Sequence, residues 1–217
     1  MRVGKLWRYP VKSMAGETLN STIIAPLGIE GDRVVQVRSA LGRVMTSRSH
    51  PGLLALRGTM GPAGQPLVDG LPWDNPEIAA KVAAIGGPHG ARLVRDDGED
   101  RFDVLPLMVL TDGAVAAFGN DPRRLRPNII VEGVEGMGEQ SWPGSFLRIG
   151  EVVIGIAEHR LRCIMTAYDP DTQARDTEIT RSIYRRFDGR LGLDCYVVVG
   201  GEIGVGDEVE LLARRPV

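Results

Sequence analysis

The chain has 217 residues, enough for one or two domains, and its 43% hydrophobic and 25% charged residues are an ordinary globular composition. The 26 Lys+Arg against 28 Asp+Glu leave a formal charge of −2, which speaks against a bulk nucleic-acid or anionic-membrane binder. No run approaches the ~18 apolar residues of a membrane helix, the N-terminus lacks a signal-peptide core, and two cysteines cannot build a disulfide scaffold, so a reduced cytoplasmic setting is expected.

Gly 28 and Pro 14 are scattered along the chain, which suits many short strands broken by turns. Tyr9-Pro10-Val11-Lys12-Ser13 reads as a proline-stiffened strand end. Gly28 to Asp32 reads as a turn feeding a strand over Arg33–Arg38, with Arg43–Thr46 as its hairpin partner. Asn75, Pro76 and Glu77 start a helix whose Ile78, Val82 and Ile85 share one face, and Gly86-Gly87 stops it. The polar stretch Arg95–Arg101 is a solvated loop and the expected boundary between a β region at 1–101 and a barrel domain at 102–217. Thr111 is expected to cap a helix running to Phe118, and Thr177 a third helix with Ile179, Ile183 and Phe187 as its buried stripe. Asn128–Val131, Phe146–Ile149, Val152–Ala157, Cys195–Val199 and Val209–Leu212 are β-branched runs of strand length. The elements predict a mostly β (α+β) protein built on a closed or nearly closed barrel with a few short helices, because closure removes strand edges.

Common catalytic signatures are missing from the sequence: there is no dinucleotide or phosphate-loop glycine pattern and no nucleophile elbow. His50, His89 and His159 share no metal-ligand spacing and read as surface or turn residues. One segment carries chemistry. In Arg160-Leu161-Arg162-Cys163, two guanidiniums flank a thiol and favour thiolate, the form that attacks electrophiles or binds a soft metal. The alternative is a buried inert cysteine, the reading expected of Cys195. Arg123-Arg124-Leu125-Arg126-Pro127-Asn128 offers bidentate guanidinium forks and an amide, and Lys12 and Ser13 add a cation and a hydroxyl. A solvated arginine face is the plainer account of any one of these motifs; together they suggest an anion site beside one candidate thiolate.

These blocks, with Gly28-Ile29-Glu30-Gly31-Asp32-Arg33, Leu110-Thr111-Asp112, Asp169-Pro170-Asp171-Thr172 and Gly201 to Asp207, resemble in order the MOSC proteins. The resemblance is to the branch with an N-terminal MOSC region, which includes amidoxime-reducing enzymes. It implies a β-barrel core and a molybdopterin-type molybdenum cofactor. Cys163 would be the thiolate ligand to molybdenum and the catalytic residue; Lys12, Ser13, Arg33, Arg126 and Asn128 would hold the cofactor, with Thr111 and Arg162 as neighbours. The implied activity is reduction of small N-hydroxylated compounds. Electrons would come from a separate donor protein, since no iron–sulfur cysteine set or flavin motif follows. A persulfide carrier on Cys163, or a non-catalytic protein that stores the cofactor, are the alternatives. Two positions depart from the family pattern: Leu161 stands where serine is common, and Asp194 where an aromatic or amide residue is common.

Overall fold

Short β-branched runs assemble around one long sheet in the computed structural model, which describes residues 1–215. Its eight strands lie in the order Glu210–Leu212, Phe146–Ile149, Val152–Leu161, Arg190–Val199, Leu107–Thr111, Ile129–Glu132, Arg2–Arg8 and Glu17–Leu19. Every neighbouring pair is antiparallel except Leu107–Thr111 with Ile129–Glu132, which run parallel. A parallel pair needs a crossover, and α2 (Asp112–Phe118) supplies it. The sheet curls toward closure but does not complete it. Strands Glu17–Leu19 and Glu210–Leu212 remain edges, and the two ends meet where Arg2 bridges Glu208, Val3 N donates to Asp207 O at 2.8 Å, and Gly206 N and Val209 N donate to Val3 O and Met1 O at 2.7 and 2.9 Å. The expected barrel is therefore a nearly closed one.

Leu107–Thr111 is buried on both faces, and its alternation divides two cores. Leu107 and Val109 join Val3, Leu6, Ile129 and Ile154 inside the curl. Met108 and Leu110 face Ala114 and Phe118 of α2 and Ile183 of α3 (Thr177–Phe187). A third core gathers Val11, Met14, Val35, Val37 and Leu53 with Ile78 and Val82 of α1 (Pro76–Gly86), beside the small sheet Arg92–Arg95, Val35–Arg38, Val44–Met45. The curl thus includes strands from both sides of residue 101, and the two terminal residues Pro216 and Val217 lie outside the described set.

Local expectations are met at α1, where Asn75 Oδ1 accepts from Glu77 N at 2.8 Å, and at α2, where Thr111 Oγ1 accepts from Ala114 N at 3.0 Å. Three details differ. The cap of α3 is Asp176, which accepts from Glu178 N at 2.9 Å, and Thr177 is already helical. The strand expected from Arg33 begins at Val35, because Arg33 takes a left-handed φ of 57° in the turn before it. Val152–Leu161 and Arg190–Val199 run as a long, bulged antiparallel pair, four and five residues beyond their expected limits, and its overhang carries Arg160 and Leu161 toward Cys163. His50 and His159 are turn and surface residues as expected; the His89 side chain is outside the described set. Among the described residues no helix is long and apolar enough to cross a membrane.

Candidate functional site

Four segments far apart in sequence meet at one cleft. They are the turn after Arg2–Arg8, the Asp32-Arg33 turn, the turn Pro122–Asn128, and the chain leaving the long hairpin at Arg162-Cys163. Lys12, Ser13, Arg33, Arg126, Asn128, Arg162 and Cys163 all line it. Three of them, Ser13, Arg33 and Arg126, hold positive φ values of 71°, 57° and 54°. A non-glycine residue pays ~1–2 kcal/mol for that region, so three in one cleft mark backbone bent to aim side chains.

The base of the cleft is an acid, Asp32, with no solvent exposure. It accepts from Tyr9 N at 2.7 Å, from Asn128 Nδ2 at 3.2 Å and from Arg33 Nη1. Asn128 spends its remaining amide valences on Trp7 O (3.3 Å), Met108 N (3.2 Å) and Arg33 Nη1 (3.4 Å). Both donors and both acceptors of that amide are engaged, so Asn128 lines the cleft but works by fixing Arg33. Tyr9 backs the arginines: Arg33 and Arg126 lie 5.1 and 4.1 Å from its ring centre, and its hydroxyl donates to Pro127 O at 3.1 Å. Burial pushes the phenol up to about 12 despite both guanidiniums.

Arg126 and Arg162 differ from the other cleft cations. Arg33, Arg124 and Arg160 are paired with Asp32, Asp169 and Asp194, the last two at 2.7 and 2.6 Å. Arg126 donates only to Met14 O (2.8 Å), and Arg162 to Leu125 O (2.6 Å) and Leu191 O (3.5 Å). Arg126 Nη2 and Arg162 Nε are sealed from water with no acceptor. Burial lowers both guanidiniums to about 10. Leaving such donors unmatched is costly, and an anion in the cleft would repair it. Lys12 Nζ donates to Arg101 O at 2.9 Å and pairs with Asp103 Oδ1 at 2.8 Å. Burial pushes Asp103 upward, but Lys12 and Arg48 outweigh it and hold the carboxyl below its ordinary range.

Cys163 is half-buried at the head of the turn Ile164–Ala167, and Thr166 fixes that turn by donating N–H and Oγ1–H to Cys163 O at 3.2 and 3.0 Å. Thr166 Oγ1 also meets Thr180 Oγ1 of α3 at 2.8 Å, which anchors the thiol-bearing loop to a helix. Cys195 is fully buried among apolar side chains, and burial pushes its thiol up, which makes it inert. Among the described residues no group of three or more His, Cys, Asp or Glu could hold a metal.

Thr111 is not part of the cleft. It caps α2 and donates to the buried Glu139 at 2.8 Å, so its place is structural. Asp194, one of the two departures, is the buried partner of Arg160 rather than a cleft residue, while Leu161 stands exposed on the lip. Sequence reasoning missed Asp32, Asp103 and Arg48. Asp32 carried a signal, lying in the same turn as Arg33; Asp103 and Arg48 carried none, because only the fold brings their loops to Lys12.

Comparison with known proteins gives two family matches. The MOSC domain matches residues 112–210, and the MOSC N-terminal beta barrel domain matches residues 1–95. The chain is 26% identical to mitochondrial amidoxime-reducing component 1 of Mus musculus, over 98% of this chain and 82% of that protein. It is 25% identical to the Homo sapiens protein of the same name, over 98% and 83%. Among solved structures, the YUAD protein from Bacillus subtilis aligns with a TM-score of 0.51 at 14% identity, over 99% of this chain and 96% of that one, a likeness of fold.

Proposed function

The chain belongs to the MOSC family, in the form that also carries the MOSC N-terminal beta barrel domain, and from that premise we propose that it is a molybdenum-cofactor-dependent oxidoreductase reducing small N-hydroxylated compounds. The observation that carries this reading is the meeting of one half-buried thiol with Lys12, Arg33, Arg126 and Arg162 in a single cleft that holds two unmatched guanidinium N–H groups. The donor set fits the group. A soft thiolate suits molybdenum, guanidinium forks suit a phosphate, and a cofactor that supplies its own metal ligands needs one ligand from the protein.

In this reading Cys163 is the protein's ligand to the metal. Arg126, Arg162, Lys12 and Ser13 bind the phosphate-bearing end, and Arg33 joins them, held by Asp32 and Asn128. When bound, the cofactor would supply the two electrons that, with two protons from solvent, reduce an N–O bond and release water, and a separate donor protein would restore them. The chain's own contribution is to bind and orient through the cradle. The names of the amidoxime-reducing relatives support the substrate class.

The test divides one preparation from a cofactor-competent host into metal-loaded and metal-free halves. Molybdenum and phosphorus near one per chain, with amidoxime reduction by an artificial donor confined to the loaded half, is the expected result. Labelled sulfur accepted by Cys163 in the metal-free half, with no reduction in the loaded half, would replace this reading with a persulfide carrier.

A further inference from the structure

We infer that a second pocket, walled by Trp7, Tyr9, Leu54, Arg57, Arg123 and Arg126, binds a small planar aromatic carboxylate, and this does not depend on the molybdenum reading. Trp7 and Tyr9 stand two residues apart and so leave the strand Arg2–Arg8 toward the same face. Their rings are stacked close to parallel, with 13° between planes and 6.5 Å between centres, Trp7 half-buried at the pocket and Tyr9 buried behind it. Leu54 and Pro170 complete the apolar part, around a cavity of about 220 Å³.

The remaining wall is rich in donors. Trp7 Nε1 and Arg126 Nη2 lie beneath this surface, closed off from water and without an acceptor. Arg57 engages Asp69 through its backbone only, its N–H donating to Asp69 Oδ1 at 3.0 Å and its carbonyl accepting from Asp69 N at 2.9 Å, and its guanidinium has no partner among the described residues. The single carboxylate in the lining, Asp171, is already clamped by Arg123 at 2.6 Å. A cation would find no free acid here, and an inorganic anion would leave the ring faces unused. A flat ring bearing a carboxylate satisfies both, stacking against Trp7 while its oxygens accept from the unpaired Arg57 guanidinium. Arg126 lines this pocket and the Cys163 cleft alike, so an occupant touches the same guanidinium that the cleft uses.

Nicotinate is the probe, read on the full chain by nitrogen–proton correlation spectra. The three tryptophans, Trp7, Trp73 and Trp142, give three indole signals, and Trp7→Phe identifies the one from Trp7. Nicotinate should move the Trp7 signal saturably at millimolar concentration, leaving Trp73 and Trp142, which also report that the chain is folded. Acetate, lacking the ring, and nicotinamide, lacking the charge, should each bind about 10-fold more weakly, and Arg57→Ala should weaken nicotinate by about the same factor. No saturable Trp7 shift up to about 10 mM, acetate equal to nicotinate, or an affinity untouched by Arg57→Ala would each overturn the assignment.

Discussion

The two cysteines show how one residue type takes opposite characters. Cys163 sits half-buried on a loop between guanidiniums, while Cys195 lies in the apolar interior with its thiol pushed up. Iodoacetamide at pH 8 on the native protein should alkylate Cys163 and spare Cys195, as read by peptide mass spectrometry; equal labelling would contradict the burial difference. The arginines divide in the same way. Arg124 already pairs with Asp169 and donates to Ala167 O at 3.2 Å, whereas Arg126 has a donor to spare. Arg126→Ala should therefore weaken binding of inorganic phosphate by ~10–100-fold, the worth of a charge-assisted hydrogen bond, and Arg124→Ala by much less. Calorimetric titration of both variants decides it, and indistinguishable losses would reduce the cluster to a general positive field.

At the scale of elements, α2 is held at its N-terminus by two side chains that the cleft does not use. Thr111 caps it and satisfies Glu139, whose Oε1 already lacks a partner. Thr111→Ala should cost ~1–3 kcal/mol in denaturant unfolding, from the lost cap and the stranded acid, while folded variant binds phosphate like the parent. Loss of phosphate binding without loss of stability would return Thr111 to the site. Asp112 accepts from Gly133 N (2.8 Å), Val134 N (3.0 Å) and Gly113 N (2.9 Å). Burial raises its carboxyl, but these donors outweigh it and set the folded value below the ordinary one. A depressed acid stabilises fully above its unfolded value of ~3.9, and that contribution fades as pH falls through the folded value. Asp112→Asn should thus be less stable at neutral pH and show a shallower loss of stability below pH ~4, measured by acid titration of the unfolding midpoint.

At the scale of the whole molecule, the cleft carries an electrostatic cost of folding. Arg126 and Arg162 are charged, desolvated and short of acceptors, with guanidiniums lowered to about 10. Their lowered values mean that the folded state holds those protons less tightly than the unfolded chain. That cost is therefore present at all pH below about 10 and recedes only as pH rises through that value. A ligand that binds only the folded state adds RT ln(1 + [L]/Kd), so phosphate or sulfate should raise the melting temperature in a concentration-dependent way at pH 7. Chloride at matched ionic strength should not reproduce the shift, and Arg126→Ala should remove most of it.

How much of this was legible in the residues depends on range. Turn and cap chemistry is local, so Asn75, Pro76 and Gly87 placed α1, and alternating β-branched runs placed Phe146–Ile149 and Val152–Ala157 within a few residues. The strand Leu107–Thr111 escaped because it is apolar on both faces and shows no polar–apolar alternation, a pattern explained by burial between two cores. Cys163, Arg126 and Lys12 were recognisable by side-chain chemistry and by family motif. Their roles relative to one another were not. Whether an arginine is spent on an acid or left with a free donor depends on neighbours as distant as 112 positions away, as with Arg126 and Met14, and on which atoms lose contact with water. Residue type thus set which chemistry could occur, while the tertiary fold, by deciding which polar groups meet and which are stranded, brought Arg126, Arg162 and Cys163 to one cleft and gave Thr111 to a helix end.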